Sequence, residues 1–248
     1  HEPSMCGWVG RGLLDVDVPG EIFTCADATK IARGIKKADR GTGVVQLIAN
    51  HEGDVLNGEM AYDLARSEVS ELEKVIVYDD IATAPVGQEE ERRGIAGMFF
   101  AFKVAGASAE RGDGIEEVVR LTKKARDNTR TLGVALSPPT NPVTGEKMFD
   151  LAEDQMEIGM GVHGEAGTYQ GKKLSAKKTM QKVAQEVIED KPFEEGEEVV
   201  VLLNGSGATT LMELHILYTA LDEILSERNI KVHNAELGDF VTTQEMSG

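Results

Sequence analysis

Cysteine is nearly absent from this chain. Only Cys6 and Cys25 occur among 248 residues, in neither a CxxC nor any other metal-ligand spacing, so a disulfide framework and a structural zinc site are not expected and a reducing compartment fits better. Long apolar runs are missing too. No stretch reaches the roughly 18 residues of a membrane-spanning helix, so no membrane segment is expected. Positive charge is scarce: 26 Lys and Arg stand against 43 Asp and Glu, a net charge of −17, which repels a phosphate backbone and argues against direct nucleic-acid binding. No P-loop lysine and no complete GxGxxG accompany the glycines, so the chain is not expected to hold a nucleotide by itself. No secretory leader is legible, and the opening His1-Glu2-Pro3, without an initiator methionine, reads as the start of an internal fragment. The default location is the cytoplasm.

What is present is a globular composition, 41% hydrophobic and 28% charged, on a chain long enough for one large or two small domains. Short apolar runs at 43–50 and 74–80 read as buried strands, with helical spacing from Val55 to Glu68 between them. Helices are expected at 94–111 and 115–128, and a strand at 131–137. The prolines of residues 138–146, PPTNPVTGE, then mark a loop and a candidate boundary. Beyond it the expected order is a strand at 156–162, a helix at 176–189, a strand at 198–205, a long helix at 211–227 and a strand at 230–237. The fold class is therefore α/β, with a first domain over 1–137 built on a largely parallel sheet and a second α/β domain over 138–248. In such sheets ligands gather at the carboxyl ends of strands, where Asn50, Asp54, Asp79 and Asp80 fall.

Polar residues flanked by glycine occur in the loops around His1, His51 with Asp54, His163, and Asn204-Gly205-Ser206-Gly207. Each has an ordinary reading beside a functional one. Asp54 after a glycine and before a helix reads equally as an N-cap. His51 and His163 read equally as exposed turn residues. His215 within an apolar helix reads as a packed side chain, His233 in a polar strand carries no signal, and Asn204-GSGATT reads better as a helix-capping turn than as a phosphate loop. Asp79 and Asp80 could serve magnesium or simply face solvent.

Five segments taken together carry more. HEPSMCGWVGRGLLDVDVPGEIFT at the start, GDVLNGEMA from Gly53, ERRGIAG from Glu91, MEIGMGVHGEAG from Met156 and LLNGSGATTLMEL from Leu202 resemble, in order and along essentially the whole chain, the dihydroxyacetone kinase substrate-binding subunit family of the phosphotransferase-system type. The resemblance implies further segments of the family fold on both sides of this chain. It also implies that His163 is covalent: its imidazole nitrogen adds to the ketone carbon of dihydroxyacetone and gives a hemiaminal, a bond that glycerol, lacking a carbonyl, cannot form. By the same resemblance Asp54 is the general base for the substrate's terminal hydroxyl, His1 is a second acid/base histidine, and Cys25 and Asn50 line the substrate site. No cofactor or metal is implied on this chain. ADP or ATP with magnesium is expected on a partner kinase subunit, and homodimers are common in the family.

Three positions depart from the family pattern. Members usually carry Lys where this chain has Ala49, a second His where it has Met5, and Ser where it has Cys25. Loss of a cation beside the substrate oxygens favours a related class, a coactivator paralogue that binds the ketone and docks on a transcription factor without turnover. Retention of Asp54 favours a kinase subunit. A kinase subunit for a longer ketose such as erythrulose is the third alternative.

Overall fold

The computed structural model describes residues 1–192 and 196–248. The chain divides into two compact units, one of residues 3–79 and 89–129, the other of residues 1–2, 80–88 and 130–248. The expected split at 137/138 therefore differs from the observed one in two ways. The crossover falls between Thr129 and Arg130, and residues 80–88 pack with the later part of the chain. The proline-rich loop is internal to the second unit. Chain continuity hid this, because each unit is assembled from non-adjacent segments.

The first unit runs α1 (Ala28–Ala38), β1 (Val44–Ala49), α2 (Glu52–Ala65), β2 (Leu72–Val77), α3 (Met98–Glu110) and α4 (Ile115–Asp127). Strands β1 and β2 are parallel and in continuous register from Val44 opposite Leu72 to Ala49 opposite Val77, joined by α2 as a strand–helix–strand unit. Helix α1 was not foreseen. Its start is nonetheless written locally, since Asp27 accepts hydrogen bonds from the backbone amides of Thr29 and Lys30, the satisfaction an N-cap provides. Ala28, Ala32 and Ile35 then share one face and join a core cluster with Ala61, Ala65 and Leu72.

The second unit contains β3 (Val134–Ala135), β4 (Gln155–Ile158), β5 (Tyr169–Lys172), α5 (Ala176–Asp190), β6 (Glu198–Asn204), α6 (Leu211–Glu227) and β7 (Lys231–Gly238). Strands β3, β4 and β5 form an antiparallel sheet, whereas β6 and β7 are parallel. Met156 and Ile158 of β4 are fully buried with Leu132. Ala184, Ile188, Leu225 and Ile230 make a separate cluster between α5, α6 and the parallel pair. The strand expected at 156–162 stops at Ile158 because Gly159 turns to φ +83, a left-handed conformation that glycine adopts without strain. Helix α6 begins where its sequence dictates: Thr210 and Glu213 form a reciprocal capping box, so the GSGATT turn is a helix cap. His215, expected to be packed, is exposed on α6; it shares a solvent-facing side with Leu211, Met212 and Ile216.

One ion pair in this unit is shielded from water. Arg130 Nε lies 3.3 Å from Asp190 Oδ2, with side chains only 11% and 7% exposed. An acid in the last turn of α5 opposes the helix dipole, and the guanidinium offsets it. Asp190→Ala removes one carboxylate from a buried ion pair, so stability should fall, by up to about 3–5 kcal/mol. Urea denaturation would register this as a lower midpoint at unchanged slope; a loss within the range of a surface pair would show that water reaches Arg130.

Candidate functional site

The ten residues between β4 and β5, 159–168, contain the histidine singled out by sequence. Hydrogen bonds close the turn at both ends: Thr168 N donates to Ile158 O at 2.8 Å, Gly161 N to Glu165 O at 3.0 Å and Gly164 N to Gly161 O at 3.1 Å. Glu157, on β4, accepts from Gly167 N at 2.5 Å. Gly164 adopts φ +85, and a Cβ there would meet the Phe149 ring at 3.0 Å. The glycines around His163 thus allow a tight turn and close packing, and the histidine that results is half-buried.

Both ring nitrogens of His163 are engaged. Nδ1 lies 3.0 Å from Glu165 Oε1, and the backbone amide of His163 donates to the other oxygen of the same carboxylate at 2.9 Å. Nε2 faces His1 Nε2 at 3.1 Å, with the two rings edge to face. His1 in turn presents Nδ1 to the carbonyl oxygen of Thr242 at 2.6 Å. Burial alone would raise the Glu165 carboxyl, but the hydrogen bonds from the His163 ring and from the backbone amides outweigh it and hold the group at about 2, below its ordinary 4.5. A depressed carboxyl stabilises the fold above its unfolded value, and that contribution is lost as pH falls from about 4.5 through about 2.

Sequence reasoning did not single out Glu165 by role, nor the segment that secures the two histidines. Thr242 donates its hydroxyl to Glu2 O at 2.8 Å, and Thr243 donates its hydroxyl to Val162 O at 2.7 Å. One short stretch after β7 therefore fastens both histidine-bearing segments. Asn204, last residue of β6, braces that stretch: its Oδ1 accepts from Phe240 N at 2.9 Å and Val241 N at 2.8 Å, and its Nδ2 donates to Val241 O at 2.8 Å. Asn204→Ala strands these backbone groups, each costing about 1–3 kcal/mol where water cannot replace the bond. The expected result is a clear loss of thermal stability, with Asn204→Asp intermediate because it keeps the two acceptor contacts. Equal melting of all three proteins would remove the bracing role.

The other candidates lie in the first unit, at the carboxyl end of β1. Helix α2 starts at Glu52 with His51 as its N-cap, so Asp54 is not the cap but an acid in the first turn, where the helix dipole favours negative charge. Cys25 packs on that turn: Asn57 Nδ2 approaches its sulfur at 3.3 Å, and Gly53 passes close enough that a Cβ would meet the sulfur at 3.0 Å. Asn50 directs its amide nitrogen to the carbonyls of Glu90 and Arg92 at 2.8 and 2.6 Å, and His51 Nε2 donates to Gly94 O at 2.7 Å. Both side chains thereby moor the ERRGIAG segment. Asp79, two residues beyond β2, does the same, accepting from Ile95 N and Gly97 N at 2.7 and 2.8 Å. Asp79 and, in the second unit, Asp80 are fully buried, so the solvated-loop reading of this pair is corrected: Asp80 accepts from Ala82 N at 3.0 Å.

The described residues contain no helix long and apolar enough to cross a membrane. Among known proteins, the chain is 40% identical over 248 residues to the dihydroxyacetone-binding subunit of PTS-dependent dihydroxyacetone kinase 1 from Listeria innocua, covering 100% of this chain and 75% of that one. It is 38% identical to D-erythrulose kinase from Mycolicibacterium smegmatis, covering all of this chain but 43% of that longer protein. A solved dihydroxyacetone kinase operon co-activator matches at TM-score 0.94 and 30% identity, over 100% of this chain and 76% of that one. The Dak1 domain model matches residues 1–248. A family model that matches from His1 to Gly248 has one meaning for classification: the chain belongs to the Dak1 domain family.

Proposed function

We propose that this protein captures dihydroxyacetone as a hemiaminal on His163 and presents it to a nucleotide-bearing kinase subunit, which phosphorylates a terminal hydroxyl. The observation that carries the reading is the His163 ring, clamped at Nδ1 by a carboxylate while Nε2 faces the Nε2 of a second imidazole, His1. A neutral imidazole nitrogen is a competent nucleophile toward a ketone, and a covalent bond separates a ketone from an alcohol of almost equal size where shape discriminates poorly. In this reading His1 exchanges a proton with the ketone oxygen, and Asp54 receives the proton of the terminal hydroxyl as that oxygen forms its bond to phosphorus. ADP or ATP and magnesium belong to the partner. The similarity to a dihydroxyacetone-binding kinase subunit supports this assignment.

The high structural similarity to an operon co-activator favours a second reading, ketone sensing without turnover, and Ala49 agrees with it. Similarity to D-erythrulose kinase keeps a four-carbon ketose open. The deciding experiment combines gentle desalting and intact-mass measurement with an assay coupled to an ADP-bearing kinase subunit, offering dihydroxyacetone and erythrulose separately. An adduct plus phosphorylated product supports the kinase subunit, and the better substrate names the ketose. An adduct without product supports the sensor. Absence of any adduct removes covalent capture.

A further inference from the structure

We propose that Glu165 is the positioning residue of covalent capture: it fixes His163 as the tautomer whose lone pair lies on Nε2, and it neutralises the imidazolium formed when that nitrogen bonds to the ketone. The inference rests on the reading of His163 just given and extends it to a residue two positions away.

Three contacts of these side chains lead there. The Thr242 carbonyl can only accept, so His1 Nδ1 carries a proton. An ionised carboxylate can only accept, so His163 Nδ1 carries one as well. The two Nε2 atoms then face each other at 3.1 Å, and a hydrogen bond between them needs a single shared proton. The pair with Glu165 is thus one imidazolium equivalent balanced by one carboxylate. The reactive form has the shared proton on His1.

From that state the step balances. The Nε2 lone pair of His163 forms a bond to the ketone carbon, the carbonyl π electrons move to oxygen, and that oxygen takes the Nε2 proton of His1. His1 ends neutral, and His163 ends as an alkylated imidazolium whose Nδ1–H still points at Glu165. No net charge is created. The positive charge only moves from His1 to His163, next to the carboxylate. The second bond from Glu165, to the backbone amide of His163, fixes carboxylate and ring relative to one backbone, which is how an orienting acid prepares an imidazole. Without it the ring is free to place its proton on Nε2, and that form cannot attack.

The test uses protein labelled with nitrogen-15 histidine, as wild type, Glu165→Gln and Glu165→Ala, with dihydroxyacetone titrated against intact mass and glycerol as the control. The wild-type His163 resonances should show a protonated Nδ1 and an acceptor-type Nε2. Glu165→Ala should shift His163 toward the Nε2–H form and weaken adduct formation at least tenfold. Glu165→Gln can still accept from Nδ1 through its amide oxygen, so it should keep the tautomer and lose only the charge, falling between the other two. Unchanged tautomer and unchanged adduct affinity in Glu165→Ala, with the variant folded by circular dichroism, would overturn the proposal. If wild type forms no adduct, the covalent reading fails instead, and the resonances alone then judge whether Glu165 sets the ring.

Discussion

His163→Ala is expected to abolish the dihydroxyacetone adduct while leaving the fold intact. The alanine removes a half-buried ring from a turn whose backbone bonds, Thr168 N to Ile158 O and Gly161 N to Glu165 O, do not involve the imidazole. Intact-mass spectra of wild type incubated with ketone should show the mass of one added molecule, and the variant none. Selectivity is the more discriminating readout. A pocket that relies on shape separates near-isosteric ligands by about a hundredfold at most, so wild type should prefer dihydroxyacetone to glycerol by more than that and the variant by less. A variant that retained ketone selectivity would locate recognition elsewhere. The carboxylate of Glu165 would lose its ring contact in the variant but keep the bond from the residue 163 amide, and Glu165→Gln in the His163→Ala background checks that residual effects do not come from its charge.

Much of the scaffold could be read from local chemistry. Helix α6 is legible at 211–227, as observed, because a segment that reads as a helix-capping turn leads directly into a long helical run. Strands β1 and β6 are short β-branched runs bounded by glycine or asparagine, and sheet pairing followed. Failures came where local and tertiary information part. Strand β5, Tyr169–Lys172, is polar and mostly exposed, so no apolar alternation announces it; its pairing with β4 comes from the hairpin turn. His215 lies among apolar residues on α6, yet the helix buries Leu214 and Ala220 and turns His215 outward. Asp54 reads as an N-cap from its sequence position, but the helix begins before it.

The site was legible in its chemistry and illegible in its support. His1 and His163 were named from separate motifs, and their approach to 3.1 Å joins positions 162 residues apart. Nothing local to either histidine encodes the Thr242 carbonyl or the Asn204 brace, because backbone-directed bonds place few demands on residue type. Asn50 shows the reverse case: a residue expected to line the substrate site has its amide nitrogen committed to two carbonyls, a role that sequence position at a strand end could not separate from ligand binding. Glu165 stood within the quoted motif all along, two residues from the histidine. A carboxylate at that distance across a glycine turn is the local signal that would have found it.

Asp54→Asn is expected to separate capture from turnover. In the proposed reading adduct formation draws on His163, Glu165 and His1, all in the second unit, whereas Asp54 sits in the first turn of α2 in the first unit. The amide keeps nearly the shape of the acid and cannot take up the hydroxyl proton. The adduct should therefore form in normal yield, while the rate of phosphorylated product with the ADP-bearing subunit should fall by about 10²–10⁴, the usual contribution of a positioned general base. The substitution also removes a negative charge that favours the α2 N-terminus, at a cost of about 0.3–1 kcal/mol, so a melting curve must show that the variant remains folded at the assay temperature. If product formation survives unchanged, Asp54 is a helix-terminus charge and the base must be sought elsewhere. If wild type itself gives adduct but no product, the comparison favours the sensor, for which a base at this position has no work. Restoring the family's usual cation by Ala49→Lys then distinguishes a lost kinase from one that never was: recovery of product with Asp54 present, and none in the Asp54→Asn background, would show that the acid still holds its catalytic geometry.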